Sequence, residues 1–318
     1  MESNMSIDDK RPPTQDEYES NKKKFNNWGR WGKDDQKGTL NLITEEVKIK
    51  AASLVKKGVS ISCSYPVDTK PGPRNPNPAQ HFVSFGPSNS HDYIGLSYHG
   101  FANTHIDALC HNFVGPGGPM YNNFPSSLVT SNGAGALGVE NIKEGIFTRG
   151  VLYDVPAFRG TKYVDHKSPV QGWELIEIAK QKNIDPMSGD AILIRSGVSQ
   201  FLKDNPEYNG NGVEMPGVHA SCIEFFHRYD SSILAWDMLD AAGQGYKGTI
   251  PLPSGQLLSM PVHFMALPFL GMPLIDNTNL EEVAQYCHSI NQFEFLFVIS
   301  PLHINGGTGS PVNPLAIF

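Results

Sequence analysis

A chain that carries the runs "DAILIRSG" (190–197), "SILAWD" (232–237) and "FEFLFVIS" (293–300) has to hide three strands from water. Apolar residues stand side by side in these runs, and Ser, Gly and Asp bound them, so each reads as a buried strand. Helical patterns lie around them, at Gly172 to Gln181, His219 to Tyr229, 261–270 and 280–290. "VSISCSYPV" alternates, so Val59 to Tyr65 reads as a strand, as does Val151 to Val155; 81–85 and 93–98 read as short strands. Thr44 caps a helix expected from Glu45 to about Lys57, with Gly58 as its stop. Strands and helices mix without a steady βαβ rhythm, which points to α/β or α+β in one domain. No composition break divides residues 25–318. Residues 1–24 are polar and charged, and are expected to form a mobile arm.

With a net charge of −7 the chain lacks the basic excess of a broad nucleic-acid surface. Its four cysteines, Cys63, Cys110, Cys222 and Cys287, form no CxxC pair and read as reduced thiols. No apolar run approaches the ~20 residues a membrane span requires. The N-terminal "MESNMSIDDKRPP" has no apolar signal core, so a cytoplasmic protein is expected. "GAGALG" (133–138) has the spacing of a dinucleotide-binding turn. No strong strand precedes it and no clear acidic ribose partner follows, so it reads as a glycine-rich turn. There is no G-x-S-x-G and no P-loop.

Chemistry concentrates in "SYHGFANTHIDALCHNF" (97–113). Alternate side chains on a strand share a face, so His105 and Asp107 point the same way and can meet one divalent cation. If the chain turns after "ALC", His111 reaches the same cavity without being a ligand. Cys110 stands beside His111, but neighbours on a strand face opposite sides, which weakens a thiol-nucleophile reading. Further ligands must come from elsewhere. His263 stands in the apolar "MPVHFMALPFLG", where a histidine can equally be a hydrogen-bonded core residue. Asp276, in "GMPLIDNTNLEEV", can equally be a turn or cap residue.

"THIDALCH" resembles the H-x-G-T-H-x-D-x-x-x-H signature of the metal-dependent cyclase family, which includes kynurenine formamidases and isatin hydrolases. Further resemblances follow in the family's order: "WGKDDQKGTLNLIT", "DAILIRSG", "MPGVHASCIEFF" and "SPLHINGGTGSPVNPLAIF". The resemblance implies a swivelling β/β/α fold, with a central mixed β-sheet, partly barrel-like, and flanking helices. It implies one or two divalent ions, Zn2+ or Mn2+, held by His105 and Asp107, with His263 and Asp276 as ligands of a second ion. Asp276 stands where two-metal members carry glutamate. It also implies His111 as general acid/base.

One position departs from the signature. Phe101 occupies the place of its first histidine and cannot bind a metal. His99 and Asn103 are the candidate replacements. Asn103 shares the face of His105, whereas on a regular strand the six residues from His99 span roughly 20 Å, so His99 needs a bulge or insertion. Trp28, Trp31, Phe101 and Tyr121 are candidate pocket aromatics, with core packing as the competing reading.

The function so implied is a metal-dependent hydrolase of an amide, lactam, ester or lactone in a small, often aromatic substrate. The family also implies a homodimer or homotetramer, in which the Trp28 to Thr44 segment can close a neighbour's site. A metal-dependent lyase or cyclase, and a metal-free ligand-binding member, are the alternatives.

Overall fold

The structure, a computed structural model, describes residues 6–208, 216–241, 250–251 and 257–318. Residues 1–5 of the expected arm and Met215 of the 215–226 segment lie outside the described residues. Nine strands form one sheet: β1 Ser60–Ser62, β2 His105–Asp107, β3 Ile146–Asp154, β4 Ala191–Arg195, β5 Ile233–Trp236, β6 Leu274–Asp276, β7 Glu294–Ile299, β8 Gly309–Pro311 and β9 Leu315–Ile317. Their order is β1-β9-β7-β3-β4-β5-β6-β2-β8. The centre, β3-β4-β5-β6, is parallel, and the remaining pairs on both sides are antiparallel. This is the mixed, half-barrel sheet with flanking helices that the sequence leads one to expect.

The apolar runs occupy the middle of the sheet. Every residue of β5 is buried, as are Ala191, Ile192, Leu193 and Ile194 of β4, because parallel strands are covered on both faces. Next to them, Gly150 of β3 pairs with Phe295 of β7. A Cβ at Gly150 would stand 2.6 Å from that ring, so the glycine makes room for the aromatic opposite.

The helices are short: α1 Gln15–Lys24, α2 Glu45–Ala52, α3 Gly172–Lys182, α4 Cys222–Arg228 and α5 Glu281–Ile290. In α3, Leu175, Ile178 and Ala179 are buried at helical spacing, a Gln171/Glu174 capping box opens the helix and Asn183 closes it in the left-handed region. Helix α2 stops at Ala52, short of Lys57, and the following turns lead into β1. The two short strands expected at 81–85 and 93–98 pair as a hairpin, Gln80–Phe85 with Ser90–Gly95. Along it Phe82, Val83, Phe85, Tyr93 and Ile94 are exposed. Within "GAGALG", Gly133 and Ala134 form one side of a two-residue ladder and Leu137 has φ 62°, so the motif is a turn. The four cysteines are buried and free.

Where it is described, the N-terminal arm packs against the fold. Ile7 and Tyr18 are buried in the main core, and the Tyr18 hydroxyl donates to Pro261 O at 3.0 Å. A Thr14/Glu17 capping box starts α1. Composition hid this because two well-placed apolar residues, Ile7 before α1 and Tyr18 within it, suffice to dock a segment whose other positions are polar.

The next segment performs a specific task. Residues 263–270 form one turn of α-helix followed by a π-turn, which ends at Gly271 with φ 64°. A helix end leaves its last carbonyls without intrahelical donors. Here Pro268 O accepts from Trp28 Nε1, Phe269 O from Asn27 N, Leu270 O from Asn27 Nδ2, and Gly271 O from Thr39 N. The N-terminal segment is therefore a cap for the helix that carries His263. Gly38 lies so close that a Cβ there would stand 1.9 Å from Gly271 O.

Candidate metal centre

Strand pairing builds the centre. His105 and Asp107 lie two apart on β2, and Asp276 on β6 is the antiparallel partner of His105. Three donor side chains thus share one face of two adjacent strands. His105 Nε2 lies 3.4 Å from Asp107 Oδ1 and 3.9 Å from Asp276 Oδ2. Its Nδ1 is 2.8 Å from Asn103 O and so carries the proton, which leaves Nε2 free to accept or to bind a cation.

His99 joins them. The backbone before β2 is not a strand; residues 99–103 bend, with Gly100 at φ 137°. The bend removes the extended-chain distance that would keep His99 away. His99 Nδ1 approaches Asp107 Oδ1 to 2.9 Å, and its Nε2 is 3.0 Å from Thr308 Oγ1. After β2 a tight turn, closed by His111 N donating to Ala108 O, returns His111 to the same carboxylate. Its Nε2 lies 3.8 Å from Asp107 Oδ2, and its ring stacks on that of His99 at 4.0 Å.

His263 Nε2 completes the ring, 3.2 Å from Asp276 Oδ2 and 3.7 Å from Asp107 Oδ2. Its Nδ1 bonds Asp240 Oδ2, whose other oxygen accepts from the backbone of Val262 and His263. Asp240 fixes this imidazole as a carboxylate behind a metal-ligating histidine does. Trp236 Nε1 donates to Asp276 Oδ1 and leaves Oδ2 facing inward.

Asp107 is the centre of the arrangement. Both its oxygens are buried, and among the described residues neither has a hydrogen-bond partner; His99 Nδ1, close as it is, lacks the alignment of one. Burial pushes the Asp107 carboxyl up, and the imidazoles of His111, His99 and His105 more than reverse that, so it is held below the usual carboxylate range. An ionised carboxylate buried without hydrogen bonds is costly unless a cation meets it. Two sets of donors could hold one: His99, Asp107 and His111, and His105, Asp107 and Asp276, with Asp107 in both. Imidazole nitrogen with carboxylate oxygen suits a divalent transition ion. His111 is driven down to about 4 by burial, with Asp107 opposing, so its ring is neutral near pH 7. At His263 burial lowers the pKa, but Asp276 and Asp240 outweigh it and raise it well above the usual value.

The structure brings together His99, His105, Asp107, His111, His263 and Asp276. It does not bring in Asn103. The Asn103 side-chain oxygen accepts from Asp68 N, and its backbone oxygen faces His105 Nδ1 and Asn277 Nδ2, so the residue braces the loop. Of the four aromatics, Phe101 walls a cavity of about 210 Å³ that also reaches Tyr98 and His99. Trp28 is occupied with Pro268 and stacks on Phe269. Trp31 lies beneath the Arg30 guanidinium. Tyr121 is fully buried against Gly271, with its hydroxyl donating to Asp35, so it is a core residue. Sequence reasoning missed Trp236, Asp240, Thr308 and Asn277. Asp240 had a signal, since an acid just past a buried strand in "AWDMLD" needs a partner.

A curled mixed sheet with a buried histidine–carboxylate centre able to hold a metal defines the class of protein. Residues 39–242 match the family described as putative cyclase, and the chain belongs to that family. It is similar to a solved structure described as a novel cyclase, at 27% identity and TM-score 0.79, over 93% of this chain and 99% of that one. The fold is also that of isatin hydrolase A from Labrenzia aggregata, at 17% identity and TM-score 0.55, over 84% of this chain and 94% of that one. Isatin hydrolase A from Ralstonia solanacearum gives 16% and 0.53, over 81% and 91%. No curated protein matches the sequence. Among the described residues no helix is long and apolar enough to cross a membrane.

Proposed function

We propose that the chain is a metal-dependent hydrolase that cleaves an amide, lactam, ester or lactone bond of a small, aromatic or cyclic substrate. The observation that carries this reading is Asp107: a carboxylate with both oxygens buried, no hydrogen bond among the described residues, and ring nitrogens of four histidines around it. His99, His105, Asp107, His263 and Asp276 would hold one or two Zn2+ or Mn2+ ions. When bound, such an ion polarises the scissile carbonyl and lowers the pKa of water from 15.7 towards about 7.

The chain's own groups do the rest. His111, half-buried and neutral, sits at the edge of the cluster with Nε2 towards Asp107. It takes the proton from the attacking water and returns it to the leaving nitrogen or oxygen. Asp240 and Asn103 O hold His263 and His105 in the tautomers that present Nε2. Phe101 bounds the cavity beside His99, where an aromatic ring can lie.

The test is hydrolysis of a panel of lactones, lactams and N-formyl amides by metal-reconstituted protein in oxygen-18 water. One labelled oxygen per product carboxylate is expected. Turnover with no label in the product would assign a lyase or cyclase instead.

Self-association into a homodimer or homotetramer belongs to the same reading. Five large apolar side chains stand exposed on the 80–95 hairpin, and patches of that kind mark interaction surfaces. Sedimentation should show a dimer or larger at micromolar concentration; a monomer throughout would remove this part.

A further inference from the structure

Beside the metal centre lies a second, larger hollow of about 750 Å³, walled by the proline-rich 65–75 loop and by residues 199–208. Phe101, Ala102, Arg74 and Asn75 line both this hollow and the cavity that reaches His99. The two spaces therefore share a wall, and Arg74 is in it.

Arg74 has an unusual environment. Among the described residues it has no carboxylate partner, and its Nε is buried without any hydrogen bond. Among the described residues its single hydrogen bond runs from Nη2 to Asn277 Oδ1, at 3.3 Å. Burial lowers its pKa, and Tyr208, Tyr65 and Asp237 pull the other way. Of these, Asp237 is already spent on the backbone N–H groups of Ser196, Gly197 and Val198. Tyr65 has its hydroxyl on Ser199. A guanidinium stays charged in proteins and is costly to bury unpaired. Elsewhere in this chain the half-buried arginines Arg149, Arg159 and Arg195 have carboxylates: Arg149 has Asp190 and Glu294, Arg159 has Glu174, and Arg195 has Asp154 and Glu281. Arg74 alone among these four does not.

The surroundings favour an anion. Lys70 and Lys203 line the same hollow, and its one acid among the described residues, Asp68, has Oδ1 engaged by Lys70 N. Asn277 connects Arg74 to the chemistry. It follows Asp276 in the chain, accepts from Arg74, and donates from Nδ2 to Gly100 O and Asn103 O, across the bend that carries His99.

We propose that Arg74 is the anchor for a carboxylate of the substrate, so that the protein acts on small acidic compounds whose anionic end lies in the 65–75 hollow while the bond to be cut lies at the metal centre. The choice of bond rests on the hydrolase reading above; the carboxylate site does not. A forked guanidinium with free donors matches a carboxylate in geometry as well as charge. Neutral analogues of the same shape would leave it unpaired and bind less well.

Benzoate and its neutral counterpart benzamide test this by calorimetric titration of full-length protein, with metal and after chelation. The wild type, Arg74→Met and Arg74→Lys are compared, with thermal unfolding of each to confirm folding. Benzoate should bind the wild type in both metal states, and benzamide about 10-fold or more weaker. Arg74→Met should lose about the same factor in both states, and Arg74→Lys, with charge but no fork, should fall between. Benzoate binding that needs metal and survives in Arg74→Met places the carboxylate on the metal and overturns the proposal. Equal binding of benzoate and benzamide overturns it, as does no binding of either. The hydrolase reading fails separately: absence of turnover on every substrate leaves benzoate binding to metal-free protein untouched.

Discussion

Asp107→Asn removes metal and activity together. Asp107 is common to both sets of donors, so losing its charge weakens either ion. Bound metal should fall from one or two equivalents to under about a tenth, and turnover by about 10³-fold or more, since the ion supplies several kcal/mol at the transition state. Thermal scans with and without chelator read the contribution of the metal. Metal should raise the midpoint of the wild type and leave that of Asp107→Asn unchanged, because a ligand that binds only the native state stabilises it. His99→Ala should also lower metal content. Unchanged metal in both variants would remove the metal centre from the account.

The second large effect separates a ligand from an acid/base. His111→Gln should keep its metal and lose about 10²–10⁴-fold in kcat, with KM little changed. The proton that His111 moves is needed only as the bond breaks, so the loss falls on the chemical step. His111 Nε2 stands 3.8 Å from Asp107 Oδ2, near enough to be a ligand in another arrangement. Metal analysis of the variant decides. Loss of metal together with kcat would make His111 a ligand, and the proton transfer would need another group.

The sheet was legible because its central strands are continuous apolar runs, and a run such as "ILAW" has no other place to go. His105 and Asp107 were legible for a similar reason, since the two-residue period of a strand fixes their common face. His99 was not. Whether it reaches Asp107 depends on a bend at residues 99–103, which periodicity does not encode. A strand-based distance argued against it, and the chain is not a strand there. Asn103 misled in the complementary way: it lies in the right place, but its oxygens are consumed by Asp68, His105 and Asn277. Tyr121 and Trp28 show why aromatics resist assignment. A ring that fills the core and one that lines a pocket have the same composition signature. Asp240 and Trp236 act across loops and strands, on His263 and Asp276, and only tertiary pairing reveals what they orient.

The cap on the 263–271 helix has a consequence for how the molecule is made. Asn27, Trp28 and Thr39 are synthesised more than 200 residues before the carbonyls they satisfy. In the emerging chain only water can accept from them, and closing so long a loop is slow because its entropy is lost before any contact rewards it. The N-terminal segment is therefore expected to dock late. His263 is held in that helix, so the ring of donors is complete only once the first and last thirds of the polypeptide have met. Metal offered to a nascent or truncated chain would find His99, His105, Asp107 and His111 without the rest of their ring.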